Sequence, residues 1–305
     1  MGNFGSKPWS AEMRIVVGIP TAGRRAILSE TISELSRQTR LPDQLVICPA
    51  NADDVDQEFI SRLPVSTMIV RGGEGLPRQR NAILRCSIDF DALVFFDDDF
   101  FPANSYLANA ERLMENDASV VLATGRLLED GVRGPGLMPV YARQKLETVA
   151  AARLGNSSVP YYGAYGCNMV IRLAPVREHQ LTFDEALPLY AWQEDIDFSR
   201  QLAPHGRIVR SDALTGIHLG VKRGRASGVK FGYSQIANPL YLIRKGTMSA
   251  RFGARTMARN LASNLIHLPR PEPHVDRLGR FKGNMLAFLD LLRGRLHPKR
   301  ILELQ

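Results

Sequence analysis

Residues 94–102 read Val94-Phe95-Phe96-Asp97-Asp98-Asp99-Phe100-Phe101-Pro102. A short apolar run that begins at Ala92 leads into three adjacent carboxylates, and Pro102 ends the extended segment. Adjacent carboxylates repel one another and are costly to bury, yet the phenylalanines on both sides indicate burial. A cation must then meet these carboxylates, and Mg²⁺ or Mn²⁺ prefers carboxylate oxygens as ligands. We predict a Mg²⁺ or Mn²⁺ site at the end of a buried strand; a solvated acidic turn is the alternative.

Upstream of this stretch, apolar extended segments alternate with helical patterns. The predicted strands cover residues 14–21, 44–48 and 67–70; the predicted helices cover residues 27–38 and 55–63, and another opens at residue 78. This alternation predicts an α/β fold of βαβ units, with a mostly parallel central sheet and flanking helices.

Several polar residues follow the predicted strands. They are Pro20 and Thr21, Asn51, residues 72–80 and residues 97–99. Ligands of parallel sheets bind beyond the carboxyl ends of the strands. The sequence therefore predicts that these residues surround one nucleotide-sized site.

The glycines of residues 72–75 do not form a dinucleotide-binding or P-loop fingerprint, because neither G-x-G-x-x-G after the first strand nor G-x-x-x-x-G-K-[ST] occurs. Arg78 and Arg80 instead indicate a diphosphate clamp beside the metal, since a guanidinium group matches phosphate oxygens. The alternative is that both arginines extend from a surface helix.

Two further patterns lie in the middle of the chain. In residues 161–172, Gly166 permits close backbone approach, Asn168 can bind hydroxyl groups and the tyrosines offer a surface for sugar stacking. A buried turn before a strand is the alternative. Residues 192–198 open a helix that runs to about residue 202 and begin with Trp192 beside an acidic pair.

Glu194 and Asp195 are that acidic pair, in the first turn of the predicted helix. The helix dipole favours carboxylates there, which explains them without a function. Trp192 next to them instead indicates a carbohydrate site. His218 follows 23 residues after Asp195 and is either structural or part of the same site.

Together these patterns resemble a known family. In order, the chain shows strand-Pro-Thr, a Gly-rich loop ending in Arg-Asn, Phe-Phe-Asp-Asp-Asp-x-x-Pro, Gly-x-Asn-Met-x-Ile-Arg, Trp-x-Glu-Asp-x-Asp-Phe and a histidine. This succession resembles the family 2 glycosyltransferases of the GT-A fold, in their bacterial envelope or exopolysaccharide type. These are inverting enzymes that use nucleotide-sugar donors. The resemblance covers about residues 13–220.

The resemblance implies roles for the matched residues. Asp97 and Asp99 would hold the metal and the diphosphate, with Asp98 toward the donor ribose or sugar and His218 as a further metal ligand. Asp195, beside Glu194, would be the general base that takes the acceptor proton. The predicted donor-binding residues are Pro20, Thr21, Arg24 (with Arg25 as a competitor), Asn51 at the uracil, Arg78, Arg80, Asn81, Asp97 and Asp98. The predicted acceptor or sugar contacts are Gly166, Asn168 and Trp192.

Composition sets the outer limits. A chain of 305 residues with 45% hydrophobic and 23% charged residues is typical of a globular enzyme. Cys48, Cys86 and Cys167 lie far apart, which favours a reducing compartment and excludes a thiolate zinc site. No apolar run has the length of a spanning helix. We predict a flexible N-terminus (1–12), a catalytic domain (13–220) and a C-terminal extension (221–305).

The C-terminal extension is strongly basic. Residues 221–300 carry 17 Lys and Arg against three acids, whereas the rest of the chain carries 22 Lys and Arg against 28 acids. Residues 222–228 are predicted to form a lid loop over the donor phosphates. Two amphipathic helices are predicted beyond it, one with Arg251, Arg255 and Arg259, the other over residues 281–296. Such helices indicate an anionic membrane surface; packing on the catalytic domain is the alternative.

These features predict a peripheral protein on the inner, cytoplasmic face of the cytoplasmic membrane. Its partners would be a nucleotide-sugar donor and a glycan or lipid-linked acceptor, with no nucleic acid and with a possible homo-oligomer. Two other classes remain open at this point. One is a metal-dependent nucleic-acid-processing enzyme, which would use the three aspartates in a two-metal site. The other is a non-catalytic membrane-surface protein whose carboxylates are structural.

Overall fold

A computed structural model describes residues 13–150, 155, 157–222 and 227–304, without the side chains of residues 133, 149 and 150. The predicted flexible N-terminus and the centre of the predicted lid loop (223–226) lie outside the described residues. Within them the strands are β1 (Ile15–Thr21), β2 (Gln44–Pro49), β3 (Thr67–Ile69), β4 (Ala92–Phe96), β5 (Phe100–Pro102), β6 (Val120–Asp130), β7 (Ser158–Pro160), β8 (Asn168–Arg172) and β9 (Arg207–His218).

Helices lie between and after these strands. Over the same residues they are α1 (Arg25–Leu35), α2 (Gln57–Ser61), α3 (Leu76–Ser87), α4 (Tyr106–Asn116), α5 (Pro139–Ala150), α6 (Leu173–Glu178), α7 (Glu194–Leu202), α8 (Gly228–Lys245), α9 (Ala250–Ile266) and α10 (Arg277–Leu292). The alternation predicted for the first hundred residues is confirmed, with helix ends displaced by one to three residues.

One sheet organises the fold, with strand order β3-β2-β1-β4-β8-β6-β9-β5 and β7 paired to β9. The pairs β1–β2, β2–β3, β1–β4 and β6–β9 are parallel, as predicted for the first strands. The pairs β4–β8, β6–β8, β5–β9 and β7–β9 are antiparallel. The predicted sheet with flanking helices is therefore confirmed, as a mixed sheet that is parallel over its first strands. It becomes antiparallel at β8, which starts at the edge where β4 ends, so that Asn168 pairs with Phe96.

Helices cover both faces of the sheet. As a result, β1 and β4 are buried along their whole length. On one face, Leu28 and Ile32 of α1 pack with Leu107 of α4. On the other, Ile83 of α3 and Phe198 of α7 belong to the second cluster of buried apolar residues. This two-sided burial explains why β1 and β4 read as continuous apolar runs. Because β1 and β4 are parallel neighbours, their carboxyl ends lie at the same edge of the sheet.

The C-terminal extension forms a three-helix unit. Its first helix, α8, has no counterpart in the sequence-based prediction, which assigned a loop up to residue 228 and a helix around Arg251. Helices α8 and α10 cross closely: a Cβ on Gly232 would lie 2.0 Å from the Arg280 carbonyl oxygen, and one on Gly283 would lie 2.1 Å from that of Val229. Only glycine permits this approach.

The extension also packs on the catalytic part of the chain. Lys245 of α8 lies 2.7 Å from carboxylate oxygens of both Asp184 and Asp197, and Asp197 is fully buried. Phe252 of α9 stacks on Tyr162 with ring centroids 4.3 Å apart. Packing on the catalytic domain, one of the two alternatives for these helices, is therefore present. No helix among the described residues combines the length and apolarity needed to cross a membrane.

Candidate active site

The three aspartates after β4 occupy different environments. Asp98 is buried; its carboxylate accepts hydrogen bonds from Thr21 Oγ1 (2.7 Å) and Arg24 Nη1 (2.8 Å). Burial raises the pKa of Asp98, and Arg24 opposes that effect. These bonds join the end of β1 to the end of β4, and contact of Thr21, Arg24 and Asp98 with the donor stays a prediction. Arg25, the predicted competitor of Arg24, is exposed and lies 3.4 Å from Asp56.

Asp99 and His218 lie side by side because Phe100 of β5 pairs with His218 of β9. His218 Nε2 is 3.2 Å from Asp99 Oδ1, and His218 Nδ1 is 3.1 Å from Oδ1 of Asp130. Burial alone would lower the pKa of His218, but the hydrogen bonds to Asp130 and Asp99 outweigh it and raise the pKa to about 10. Burial alone would raise the pKa of Asp99, but His218 outweighs it and lowers the pKa to about 2.

Asp97, Asp99 and His218 form a group with the chemistry of a divalent-metal site. One ligand atom from each lies within 4.8 Å of the others. Asp99 Oδ1 is buried, and its contact with His218 Nε2 at 3.2 Å is not a well-aligned hydrogen bond. A buried carboxylate oxygen without a well-aligned donor fits a cation, because incomplete pairing of such an oxygen is costly. Two carboxylates and one imidazole are ligands that suit Mn²⁺ or Mg²⁺.

Arg80 connects this group to the start of α7. Its guanidinium donates to Glu194, to Asp97 Oδ1 (3.2 Å) and to the Gly166 carbonyl oxygen (2.8 Å). The side chain is only 1% exposed. Arg80 thereby holds together two acidic motifs that are far apart in the sequence. Its predicted contact with the diphosphate stays a prediction.

Asp195 also contacts the backbone of Gly166. Its Oδ2 accepts a hydrogen bond from the Gly166 backbone N–H (2.9 Å), and its Oδ1 accepts one from Ile196 N–H (2.8 Å). Burial raises the pKa of Asp195 even though these bonds and Arg80 lower it, which makes the carboxylate a better base. Asp195 is partly exposed, whereas Glu194 is buried against Arg80. Of the two, Asp195 is therefore the one that a substrate can reach.

The model of the family Glycosyl transferase family 2 matches residues 16–176, more than half of the chain. The chain belongs to glycosyltransferase family 2. It is therefore a glycosyltransferase, as the sequence motifs indicated, and the nucleic-acid enzyme and the non-catalytic protein drop out as alternatives. No curated protein matches this glycosyltransferase by sequence at a significant level.

Solved structures share its fold. S. aureus TarS 1-349 in complex with UDP-GlcNAc is 15% identical, with a TM-score of 0.55 over 95% of this chain and 83% of that one. The mannosyltransferase PcManGT from Pyrobaculum calidifontis, in complex with GDP-Man and Mn²⁺, is 16% identical, with a TM-score of 0.54 over 97% and 88%. This chain spans 64% of a second structure of TarS 1-349 and 40% of a structure of TarS, each at a TM-score of 0.49. The likenesses to the UDP-GlcNAc complex of TarS and to PcManGT support the GT-A fold.

Two predicted ligand contacts of the glycosyltransferase are buried and bonded within the protein. Asn168 is fully buried, and its Oδ1 accepts from Thr124 Oγ1 and the Gly125 N–H, both at 2.7 Å. Asn81 is buried and exchanges two hydrogen bonds with the backbone of Phe183. These amides connect protein segments to one another, and their contacts with a sugar or a phosphate stay predictions.

Other predicted residues lie where the prediction needs them, without a contact that tests it. Asn51 is exposed at the end of β2, and Pro20 lies buried at the end of β1. Arg78 is exposed, 3.5 Å from Glu185. Gly166 meets its expected requirement, since a Cβ there would lie 3.1 Å from Arg80 Nη2 and 3.4 Å from Asp195 Oδ2. Their roles toward the donor or the acceptor stay predictions.

Trp192 lines a small cleft between residues 188–192 and α8. Tyr190 and Trp192 each approach the ring of Phe231, with centroids 6.0 and 5.9 Å apart. In this loop Leu189, Ala191 and Gln193 have positive φ angles of 57°, 49° and 72°. Residues other than glycine rarely adopt positive φ angles, and strained backbone of this kind is concentrated at functional sites.

Sequence reasoning missed three contributors to the site. Gln79 donates from Nε2 to the carbonyl oxygens of Thr21 and Cys48, and so joins the ends of β1 and β2. Phe231 comes from a helix that was not predicted. Asp130 contacts His218 from the end of β6. Only Asp130 carried a usable signal, since it is an acid that follows an apolar strand pattern, as Asp97 does.

Proposed function

We propose that this glycosyltransferase is a metal-dependent, inverting enzyme. It transfers a sugar from a nucleotide-diphosphate donor to a hydroxyl group of a glycan or lipid-linked acceptor. The observation that supports the proposal is the contact series from Asp97 of the candidate metal group through Arg80 to Gly166, whose backbone N–H donates to the candidate base Asp195. The GDP-Man and Mn²⁺ bound to PcManGT and the UDP-GlcNAc bound to TarS support the donor class.

The residues divide the reaction between them. Asp97, Asp99 and His218 would hold a divalent cation, which when bound supplies positive charge opposite the leaving diphosphate. Asp195 accepts the proton of the acceptor hydroxyl as that oxygen bonds to the anomeric carbon. The bond from the anomeric carbon to the diphosphate breaks, and its electron pair leaves with the diphosphate. One displacement inverts the anomeric configuration. Arg80 keeps Asp97 and Glu194 in position relative to each other during the reaction.

Binding and turnover of nucleotide sugars test this function. Calorimetry with UDP and GDP, each with Mn²⁺ or with EDTA, should show binding of one nucleotide only when metal is present. Asp99→Ala should remove that binding, whereas Glu115→Ala, an exposed acid on α4, should leave it unchanged. The anomeric configuration of the product, read by NMR, reports inversion. Binding that is insensitive to EDTA and to Asp99→Ala would contradict the metal role.

The acceptor is proposed to bind in the cleft of Tyr190, Trp192 and Phe231. Aromatic faces suit the apolar faces of sugar rings, and Tyr190 and Trp192 lie a few residues before Asp195 in the chain. Lys230 also lines it, which favours a glycan that carries a negative group. The C-terminal extension would therefore take part in acceptor binding through α8.

The extension is also proposed to bind an anionic membrane surface from the cytoplasmic side. Leu278, Met285, Leu289 and Leu292 of α10 are exposed and follow one another at helical spacing. Arg251, Arg255 and Arg259 are exposed on α9. Apolar and cationic groups on one helical unit complement a membrane of anionic lipids, with about 1 kcal/mol for each cation near the surface.

Vesicle flotation tests the membrane proposal. Replacing Leu278 and Leu292 by serine should reduce flotation with phosphatidylglycerol vesicles, because both side chains are more than half exposed. Replacing Met68 and Ile69, exposed on β3, is the matched control. Binding that ignores lipid charge and both pairs of substitutions would contradict the proposal. Self-association that the leucine variant abolishes would assign this face to a second copy of the chain instead.

A further inference from the structure

We propose that Asp130 is a positioning residue that orients His218 as a metal ligand. The inference rests on the metal-dependent function proposed above. A histidine that binds a metal through one ring nitrogen usually donates the other N–H to a carboxylate, which fixes the tautomer and the orientation of the ring. In this protein, Asp130 occupies that place opposite Asp99.

Sheet register brings the two residues together. Strands β6 and β9 run parallel, and Asp130 pairs directly with His218. A register shift between Leu127 and Glu129 immediately precedes Asp130. Irregularities of this kind redirect the side chains of a strand and are frequent beside active sites. Asp130 therefore reaches His218 because of pairing over 88 residues of sequence, which no local motif shows.

The carboxylate of Asp130 is itself held in place. Its Oδ1 accepts from the Val132 N–H at 3.1 Å and lies 3.1 Å from His218 Nδ1, and its Oδ2 accepts from Tyr165 OH at 3.3 Å. The Tyr165 ring also meets the imidazole edge to face, with centroids 5.9 Å apart. Asp130 thus approaches His218 with a fixed geometry, as an orienting group must.

The two ring nitrogens of His218 then have separate tasks. With Nδ1–H donated to Asp130, the lone pair of Nε2 is directed to the side of Asp99, whose Oδ1 lies 3.2 Å away. The metal-competent group comprises Asp97, Asp99 and His218, and Asp130 is not a member of it. Asp130 therefore acts on the metal through His218 and does not bind the metal itself.

Mn²⁺ binding measured by calorimetry and by pulsed electron paramagnetic resonance tests the assignment, with UDP or GDP present at saturation. In the unaltered protein, ¹⁴N coupling from His218 should appear and should vanish in His218→Ala. Asp130→Ala should weaken Mn²⁺ binding roughly 10- to 100-fold and diminish the ¹⁴N coupling. Asp130→Asn, whose amide oxygen still accepts the Nδ1–H, should restore most of both. Circular dichroism and thermal unfolding check that the variants are folded.

Glu129→Gln is the matched control. Glu129 is the neighbouring acid and contacts Tyr141 and Lys145, so its substitution removes one negative charge next to the site without touching His218. An equal loss of Mn²⁺ affinity in Glu129→Gln would show that charge alone is responsible and would overturn the inference. So would full affinity and full ¹⁴N coupling in Asp130→Ala. An unaltered protein that binds no Mn²⁺ would instead refute the metal function on which the inference rests.

Discussion

Replacing Arg80 by methionine should expose how strongly the fold depends on the pairing of Arg80 with Glu194. Methionine fills much of the same space, but Glu194, 3% exposed, loses the guanidinium that neutralises it. Burial raises the pKa of Glu194, Arg80 lowers it, and the nearby Asp195 and Asp97 raise it further. Together these effects raise the pKa of Glu194 to about 8, and without Arg80 only the raising effects remain.

The magnitude follows from the hydrogen bonds that are lost. Glu194 and the Gly166 carbonyl oxygen lose their guanidinium donor, and a buried polar group without its partner costs about 1–3 kcal/mol. Because the pKa of Glu194 is raised to about 8 in the unaltered protein and further in the variant, both folded proteins hold this proton at pH 7. The loss of stability should therefore grow above about pH 8, where the unaltered protein releases the proton and the variant keeps it.

Urea unfolding at pH 7 and pH 9 measures the loss and its growth with pH. Arg78→Met, two residues earlier on α3 and half exposed, is the control and should change stability by less than about 0.5 kcal/mol. The double variant Arg80→Met with Glu194→Gln should recover much of the loss, since no charge stays buried. A pH-independent loss, or additive effects in the double variant, would refute the reasoning.

Three further predictions concern activity. Asp195→Asn should lower turnover by about 10²–10⁴-fold while donor affinity, measured by calorimetry, stays unchanged; lost donor affinity would contradict its role as base. Gly166→Ala should reduce kcat roughly 10- to 100-fold, because its Cβ would lie 3.1 Å from Arg80. Gly134→Ala is the control and should leave kcat unchanged, because no atom lies within 4 Å of the added Cβ; equal rates of the two variants would contradict the prediction. Phe231→Ala should raise the acceptor KM roughly 2- to 10-fold with the donor KM unchanged, and a change in donor KM alone would place the acceptor elsewhere.

The sequence by itself determined the local elements of the fold and the family. The apolar runs of β1 and β4, the proline and acids that end them, and the order of motifs required only neighbouring residues. The aspartates at 97 and 99 and the acid at 195 were identifiable for the same reason, since a carboxylate at a strand or helix end is a local signal.

Tertiary structure alone decided which polar groups face a ligand. Arg80, Asn81 and Asn168 have side chains suited to a substrate, yet the fold buries each against a partner remote in sequence. Asp130 acquired a role because β6 pairs with β9, and β8 runs backward because of where its loop enters the sheet. The physical reason is that burial and hydrogen-bond partners depend on long-range strand pairing and helix packing. Residue spacing along the chain encodes neither of these directly.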